Sequence, residues 1–361
     1  MLVSVLLLSA ACAAWTADKL PKPDRIVAPP TSEQRSLISE GIALHDHQKY
    51  QEAIAKYKQV LAENPWEVTT LYELSYTYFV SKDFENAIAT ARLGAQCKSA
   101  LLPQFYMTMA NSLDEMGRPG DAISLYKAAI KKAPSDGLLH YNLALTLLRQ
   151  GMKPEAKAEV ERGLFLSPNH ASSHAILGSL YQQMGYRVPA ILAYSRFLTL
   201  ESDTQRAVET LRALAALVTE GVTKGKESNA INILLSAPSK SQMDEGDFMG
   251  AEMGINISLA ADTMLKPEET GKQPKSDYEK LVSIYNLLGD ALSNSKPKGG
   301  FAAQFYAPYF AALAKAEHIG AFVAETWKVG NVPGASEWKQ ANQAKIDAFA
   351  AWSKAYVWPV K

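Results

Sequence analysis

The chain repeats one pattern of small and apolar positions about every 34 residues. Residues 171–200 show the unit, in which two amphipathic segments of helical spacing flank a turn at Gly185. The second segment always carries an alanine at the same place, namely Ala53, Ala87, Ala122, Ala156 and Ala190. The first segment carries a small residue twelve positions earlier, namely Gly41, Ser75, Ala110, Ala144 and Gly178. A fixed period of this length predicts a solenoid of stacked helix pairs.

The small residues in this pattern have a structural reason. Two helices pack at an interaxial distance of roughly 8–10 Å, so the point where they cross has no room for two large side chains. One such pair cannot bury its apolar face alone, and each pair must therefore stack on the next. The pattern predicts five pairs that share one continuous core.

These positions resemble the tetratricopeptide repeat family over residues 34–203. The family expects a large apolar residue before the first small one, as at Leu74, Met109, Leu143 and Leu177. Glu40 stands there in repeat one, which predicts that this repeat is a cap. The family expects a bulky residue four positions after the alanine, as at Tyr57, Tyr126, Val160 and Tyr194, where repeat two has Ala91. It also expects a terminal proline, as at Pro65, Pro134 and Pro168, where repeats two and five have Ser99 and Ser202.

The resemblance implies an all-α fold, in which a tetratricopeptide superhelix precedes a helical C-terminal domain. The predicted solenoid is residues 34–220, with repeats at 34–66, 67–101, 102–135, 136–169 and 170–203 and a capping helix at 204–220. It is flanked by a leader at 1–17, a proline-rich linker at 18–33, a polar linker at 221–230 and the C-terminal domain at 231–361. Four of the six tryptophans lie in the last part of the chain, which predicts that this end is packed.

The first residues form an apolar run, MLVSVLLLSAACAAW. It is shorter than the roughly 20 residues that span a bilayer and ends in small residues, as a secretory leader does. We expect an exported protein, periplasmic or secreted. Cleavage after Ala13, lipidation of Cys12 and a buried N-terminal helix remain alternatives, and the true start of the chain stays open because no basic residue precedes Lys19.

Length and charge narrow the class of protein. At 361 residues the chain exceeds one ordinary core, so two structural units are expected. Its 37 basic and 37 acidic side chains cancel, which argues against nucleic-acid binding because phosphate neutralisation needs an excess of basic residues. Two cysteines do not make a disulfide framework. The oligomeric state stays open.

The resemblance implies that the first helix of each repeat lines a concave groove that binds a protein or peptide. The expected groove residues are Tyr72, Tyr76, Phe79, Met107, Asn111, Tyr141, Leu145 and Leu148. Basic side chains are sparse there, with Arg35 in the lining and Arg149 beside it, which argues against a clamp for carboxylates. Two occupants remain open: an apolar or aromatic segment of a partner protein, or a segment of this chain, either residues 19–30 or the C-terminal helices.

No catalytic motif stands in the sequence, and we expect a non-catalytic scaffold without cofactor or metal. His45 and His47 are two apart and predict a solvated helix end. His170 and His174 are four apart, with His140 at the repeat position of His174, and inter-repeat packing is favoured over a metal site. The alternative is an enzyme or ligand-binding protein with its site in the C-terminal domain, where the candidates are Tyr306, Tyr309, Glu317, His318 and Glu325.

Overall fold

The computed structural model describes residues 20–224, 231–233, 237–264, 273–295 and 299–359. The leader and Cys12 therefore lie outside the described residues. The described part of the chain is built of α-helices packed in consecutive pairs, which confirms the predicted fold class. Two compact units divide the chain, residues 1–159 and residues 160–361. Within the described residues, no helix is both long enough and apolar enough to cross a membrane.

The first unit is a run of antiparallel helices joined by short turns. Its helices are α1 Ser32–Asp46, α2 Tyr50–Glu63, α3 Val68–Val80, α4 Phe84–Gly94, α5 Leu102–Glu115, α6 Pro119–Lys132, α7 Gly137–Arg149 and the start of α8 Lys153–Leu166. The Thr31 side chain accepts from the Gln34 backbone N–H at 3.2 Å, and the Gln34 side chain accepts from the Thr31 N–H at 3.1 Å. This capping box fixes the start of the first helix.

The crossing points of these pairs need small residues, as the sequence predicts. A Cβ atom placed on Gly41 would lie 2.4 Å from Cε1 of the buried Tyr57 ring. Ala53 and Ala87 are fully buried in the core around this ring. The small position and the bulky position of one repeat therefore meet directly.

The second unit contains the fifth helix pair and everything after it. Its helices are α9 Ala171–Gln183, α10 Arg187–Leu200, α11 Gln205–Thr219, α12 Lys240–Glu245, α13 Met249–Met264, α14 Asp277–Ser295, α15 Phe301–Lys315, α16 Ile319–Thr326, α17 Ala335–Ala341 and α18 Gln343–Ala355. Helix α10 packs against α9, α11, α15 and α16. Every residue from Val188 to Leu198 is buried, so α10 is the centre of this unit.

A small hairpin stands where the sequence predicts a polar linker. Strand β1, Val222–Lys224, pairs antiparallel with strand β2, Ile231–Ile233, with Val222 opposite Ile233. Residues 225–230 between the strands lie outside the described residues. β-Branched side chains favour extended backbone, which explains why these short segments pair. The predicted domain boundaries themselves stay a prediction.

The start of α15 is capped by a residue far away in the sequence. Its N-cap, Gly300, has no side chain to offer. Oε1 of the buried Glu245 instead accepts from the Ala302 backbone N–H at 2.7 Å and from the Tyr181 hydroxyl at 2.7 Å. A carboxylate at a helix N-terminus also meets the positive end of the helix dipole. Glu245 thus connects α12 to α9 and α15.

The tryptophans at the end of the chain take part in packing. Trp327 and Trp358 are buried, whereas Trp338 and Trp352 are half-buried. The Trp358 ring stacks on Phe305 and Tyr309 of α15, with ring centroids 4.6 and 4.8 Å apart. The last described residues are therefore held against α15.

Candidate functional site

A row of aromatic side chains follows one face of α3 in the first unit. Tyr72, Tyr76 and Phe79 are spaced by four and three residues, which aligns them along a helix. The ring centroids are 6.1 Å apart from Tyr72 to Tyr76 and 6.4 Å apart from Tyr76 to Phe79, and both pairs are stacked. The Tyr76 side chain is 40% exposed. His45 extends the row from α1, since its ring stacks on Tyr76 at 5.4 Å.

The other predicted groove residues are half-buried on α5 and α7. They are Met107, Asn111, Tyr141, Leu145 and Leu148. The Asn142 amide nitrogen lies 3.3 Å from the Met107 sulfur, which connects the two helices on this face. The Asn111 oxygen accepts from the Tyr126 hydroxyl of α6, and this bond orients the amide. All eight predicted residues therefore keep some exposed surface, although Ile38, in the corresponding position of α1, is buried.

An acidic side chain borders the aromatic row. Glu73 of α3 is half-buried, and burial followed by the nearby charge of Asp46 raises the pKa of its carboxyl. Among the described residues, none donates a hydrogen bond to Glu73 or forms an ion pair with it. Burial and the charge of Glu73 also raise the pKa of the Tyr72 hydroxyl. This edge of the row is suited to a cation.

The two basic residues near the groove are engaged with their own chain. Arg149 forms ion pairs with Asp114 and, at 3.7 Å, with Glu115. Asp114 also accepts from the Thr146 hydroxyl at 2.8 Å. Arg35 donates to the Pro30 carbonyl at 2.7 Å. These partners weigh against a site for carboxylates on this face.

The proline-rich arm contacts the first unit away from the aromatic row. The Arg25 N–H donates to the Gln96 carbonyl at 3.0 Å, and the Lys98 N–H donates to the Arg25 carbonyl at 2.8 Å. The Arg25 guanidinium lies over the Trp66 ring, 3.7 Å from its centroid. These contacts lie at the turns that follow α2 and α4, and they leave Tyr76 exposed.

The histidines do not form a metal site within the described residues, where no group of three potential ligands was found. His45 differs from the solvated position that the sequence predicts, since it is half-buried and contacts the Thr77 hydroxyl oxygen at 2.8 Å. His140 contacts Glu159 at 2.7 Å. In the second unit, His174 Nδ1 contacts the Tyr306 hydroxyl at 2.6 Å, and Nε2 contacts the Pro168 carbonyl at 2.9 Å.

The candidates for C-terminal chemistry have separate structural partners. Tyr306 and Tyr309 are fully buried, and burial raises the pKa of both hydroxyls. Glu325 forms an ion pair with Lys339 at 2.7 Å. Burial lowers the pKa of His318, whose ring contacts Trp352 with centroids 5.3 Å apart.

Two charged residues of interest were missed in the sequence, Glu73 and Arg196. Glu73 stands inside the aromatic segment of α3, and Arg196 is the one charged residue in the buried run Val188–Leu198 of α10. A single charge within a mostly apolar helical run was the available indication in both places.

The part of the chain that matches known proteins is the repeat region. Residues 38–100 and 107–178 match the family model described as tetratricopeptide repeat. The comparison with curated proteins found no match.

Several solved structures are similar to about half of this chain. The TPR protein TTC0263 of Thermus thermophilus is 19% identical, with 51% of this chain and 98% of that chain covered and a TM-score of 0.41. PilF of Pseudomonas aeruginosa is 18% identical, with 51% and 88% covered and a TM-score of 0.41. YrrB, described as a TPR protein with an unusual peptide-binding site, is 17% identical, with 49% and 90% covered and a TM-score of 0.36.

Proposed function

We propose that the first unit binds a peptide segment of a partner protein. Residues 38–100 and 107–178 match the tetratricopeptide repeat family, whose members are generally non-catalytic scaffolds for protein interaction. The proposed site is the face of α3, α5 and α7 that carries the eight groove residues. The partner segment lies along the row of Tyr72, Tyr76 and Phe79. The protein acts as an adaptor and not as an enzyme.

The observation that carries this proposal is the exposure of the stacked aromatic row. Tyr76 is 40% exposed although its ring is fixed between His45 and Tyr72. A ring that is already ordered loses little conformational entropy when a ligand packs on it. Tyrosine is among the residues that contribute most to binding energy at protein interfaces.

The charge around the row indicates the chemistry of the partner. Glu73 adjoins the row and lies near the charge of Asp46, and it has no cationic partner among the described residues. A lysine or arginine side chain would pair with Glu73 and lie over a tyrosine ring, a cation–π contact of about 0.5–1 kcal/mol at an exposed position. We expect a segment that combines a basic residue with apolar or aromatic side chains.

The proposal is tested by selecting peptides from a random library on the full chain and measuring their affinities by fluorescence anisotropy. Tyr76→Ala should weaken a selected peptide by at least about 1 kcal/mol, a roughly five-fold loss of affinity. Leu93→Ala is the matched control, because Leu93 is exposed to a similar extent, at 44%, on α4, the second helix of the same repeat. Equal affinities for Tyr76→Ala, Leu93→Ala and the parent chain would refute the groove assignment.

We also propose that the chain is exported, because residues 1–17 have the composition of a leader. The mass of the protein recovered from its native cells tests this. Cleavage near Ala13 or a lipid on Cys12 would support export, whereas a full-length mass in the cytosolic fraction would contradict it.

A further inference from the structure

The second unit contains an open cleft of about 400 Å³ beside the C-terminal end of α10. Its apolar lining includes Leu200, Ile346, Phe349 and Ala350. Arg196 lines the same cleft. A volume of this size is within the range of small-molecule sites, which are mostly apolar with a few polar groups that fix orientation.

Arg196 is a buried charge whose partners are all neutral. Its side chain is 2% exposed. Nη2 donates to the Asn169 amide oxygen at 2.7 Å, and Nη1 donates to the Ser353 hydroxyl at 3.2 Å and to the Tyr309 hydroxyl at 3.5 Å. The guanidinium carbon lies 4.9 Å from the Trp358 ring centroid and 5.2 Å from that of Tyr309. Nε has no hydrogen-bond partner within the described part of the chain.

This arrangement leaves the charge only partly compensated. Burying an ion without a counter-ion is costly, and a cation–π contact offsets only part of that cost. Arginine has five N–H donors, and its fork matches the two oxygens of a carboxylate. No described carboxylate pairs with Arg196. The acid that lines the same cleft, Glu325, is held by Lys339 at 2.7 Å.

We propose that this cleft binds a small organic monocarboxylate with an apolar body. The carboxylate pairs with the Arg196 guanidinium, and the hydrocarbon lies against Ile346, Phe349 and Ala350. Asn169 is exposed on the turn before α9, and its amide oxygen accepts a hydrogen bond from Nη2 of Arg196. In the proposed complex, a carboxylate oxygen of the ligand replaces this amide oxygen as the acceptor.

The cleft favours a carboxylate over a phosphate. Arg196 is a buried cation in its lining, whereas Lys354, which also lines it, is exposed. A phosphate dianion would bring a second charge without a second buried cation, while Glu325 would repel it. A single negative charge attached to hydrocarbon matches both the buried cation and the apolar residues of the lining.

The test uses the full chain and three probes: sodium octanoate, 1-octanol and inorganic phosphate. Binding is followed by tryptophan fluorescence, because Trp358 lies over Arg196, and its stoichiometry by calorimetry. We expect saturable one-to-one binding of octanoate, binding of 1-octanol at least tenfold weaker, and no saturation with phosphate. Equal affinity for octanoate and 1-octanol, or no saturation with octanoate at millimolar concentrations, would overturn the proposal. Tighter binding of phosphate than of octanoate would do so as well.

Two tryptophan variants on α18 locate the site without disturbing the buried arginine. Ala350 and Ala348 are both exposed, but only Ala350 lines the cleft. Ala350→Trp should fill the cleft and reduce octanoate affinity at least tenfold, whereas Ala348→Trp should leave it unchanged. Arg196→Met should abolish the preference for octanoate over 1-octanol. Should Arg196→Met fail to fold, the Ala350→Trp and Ala348→Trp pair still decides the question, and equal octanoate binding by that pair would overturn the assignment.

Discussion

His174 makes the stability of the second unit depend on pH in a way that can be calculated. Its side chain is fully buried, and burial, followed by the charge of Arg196, lowers its pKa to about 3 from 6.5. A carbonyl oxygen only accepts, so Nε2 carries the proton donated to Pro168, and Nδ1 accepts from the Tyr306 hydroxyl. The folded unit therefore holds the neutral imidazole in one tautomer.

The sign and the size of the effect follow from this pKa. Above pH 6.5 the imidazole is neutral in both the folded and the unfolded states, and its contribution to stability is complete. Below pH 6.5 only the unfolded state takes up the proton, so the free energy of unfolding falls by about 1.4 kcal/mol per pH unit until about pH 3. The expected loss is about 2.7 kcal/mol at pH 4.5 and roughly 4–5 kcal/mol at pH 3.

The assay compares the parent chain with His174→Asn by urea unfolding between pH 7 and pH 4.5. Tryptophan fluorescence reports mainly on the second unit, which contains four of the six tryptophans. At pH 7 the variant should be less stable by about 1–3 kcal/mol, because the Pro168 carbonyl loses its donor. That difference should shrink by about 2.7 kcal/mol at pH 4.5, since asparagine does not titrate.

His170 and His318 also have lowered pKa values, so the parent slope alone does not isolate His174. The difference in the free energy of unfolding between the parent chain and His174→Asn does isolate the contribution of His174. If the free energies of unfolding of the parent chain and of His174→Asn fell in parallel from pH 7 to pH 4.5, the buried neutral imidazole would not be the source of the pH dependence.

Three further substitutions test other parts of the structure by thermal unfolding. Gly178→Ala should destabilise the protein by about 1 kcal/mol, because the new Cβ would lie 2.5 Å from Cδ1 of Tyr194 and the cost of overpacking exceeds the gain in helix propensity. Gly120→Ala is its control and should not destabilise the protein, since the space around its Cβ is open. Glu245→Gln should cost about 1–2 kcal/mol through the weakened cap of α15, and an unchanged melting temperature would contradict that role. Glu73→Gln should raise the stability of the protein at pH 7, because burial disfavours the ionised form of Glu73. It should also weaken the binding of any selected peptide that carries a basic residue. A lower melting temperature would argue against burial as the cause of the raised pKa.

The repeat architecture could be predicted from the sequence because each contact that defines it is local. The Gly41 position and the Tyr57 ring are sixteen residues apart, and the capping box of α1 spans three. The aromatic row could be predicted for the same reason, since Tyr72, Tyr76 and Phe79 follow helical spacing. The repeat period then fixed which face of α3 they share.

The features that could not be predicted from the sequence depend on contacts between distant segments. His174 meets Tyr306 across 132 residues, and Glu245 meets the Ala302 N–H across 57. Periodicity carries no information about such pairs, because any helix with a suitable face could have supplied the partner. The acidic edge at Glu73 was missed for another reason, since its lack of a partner is visible only once the neighbouring helices are in place.

The burial of α10 on all sides has a consequence for how the repeats come apart. A linear array of repeats unravels from its ends, because a terminal repeat has one neighbour where an inner repeat has two. Helix α10 is instead enclosed by α9, α11, α15 and α16, so the last pair cannot fray alone. We therefore expect hydrogen exchange at its backbone amides to require opening of the whole second unit. In the first unit, the N-terminal pair α1–α2 has a neighbouring pair on one side only and carries exposed polar residues such as Glu40, so we expect it to open more easily than the pairs inside that unit.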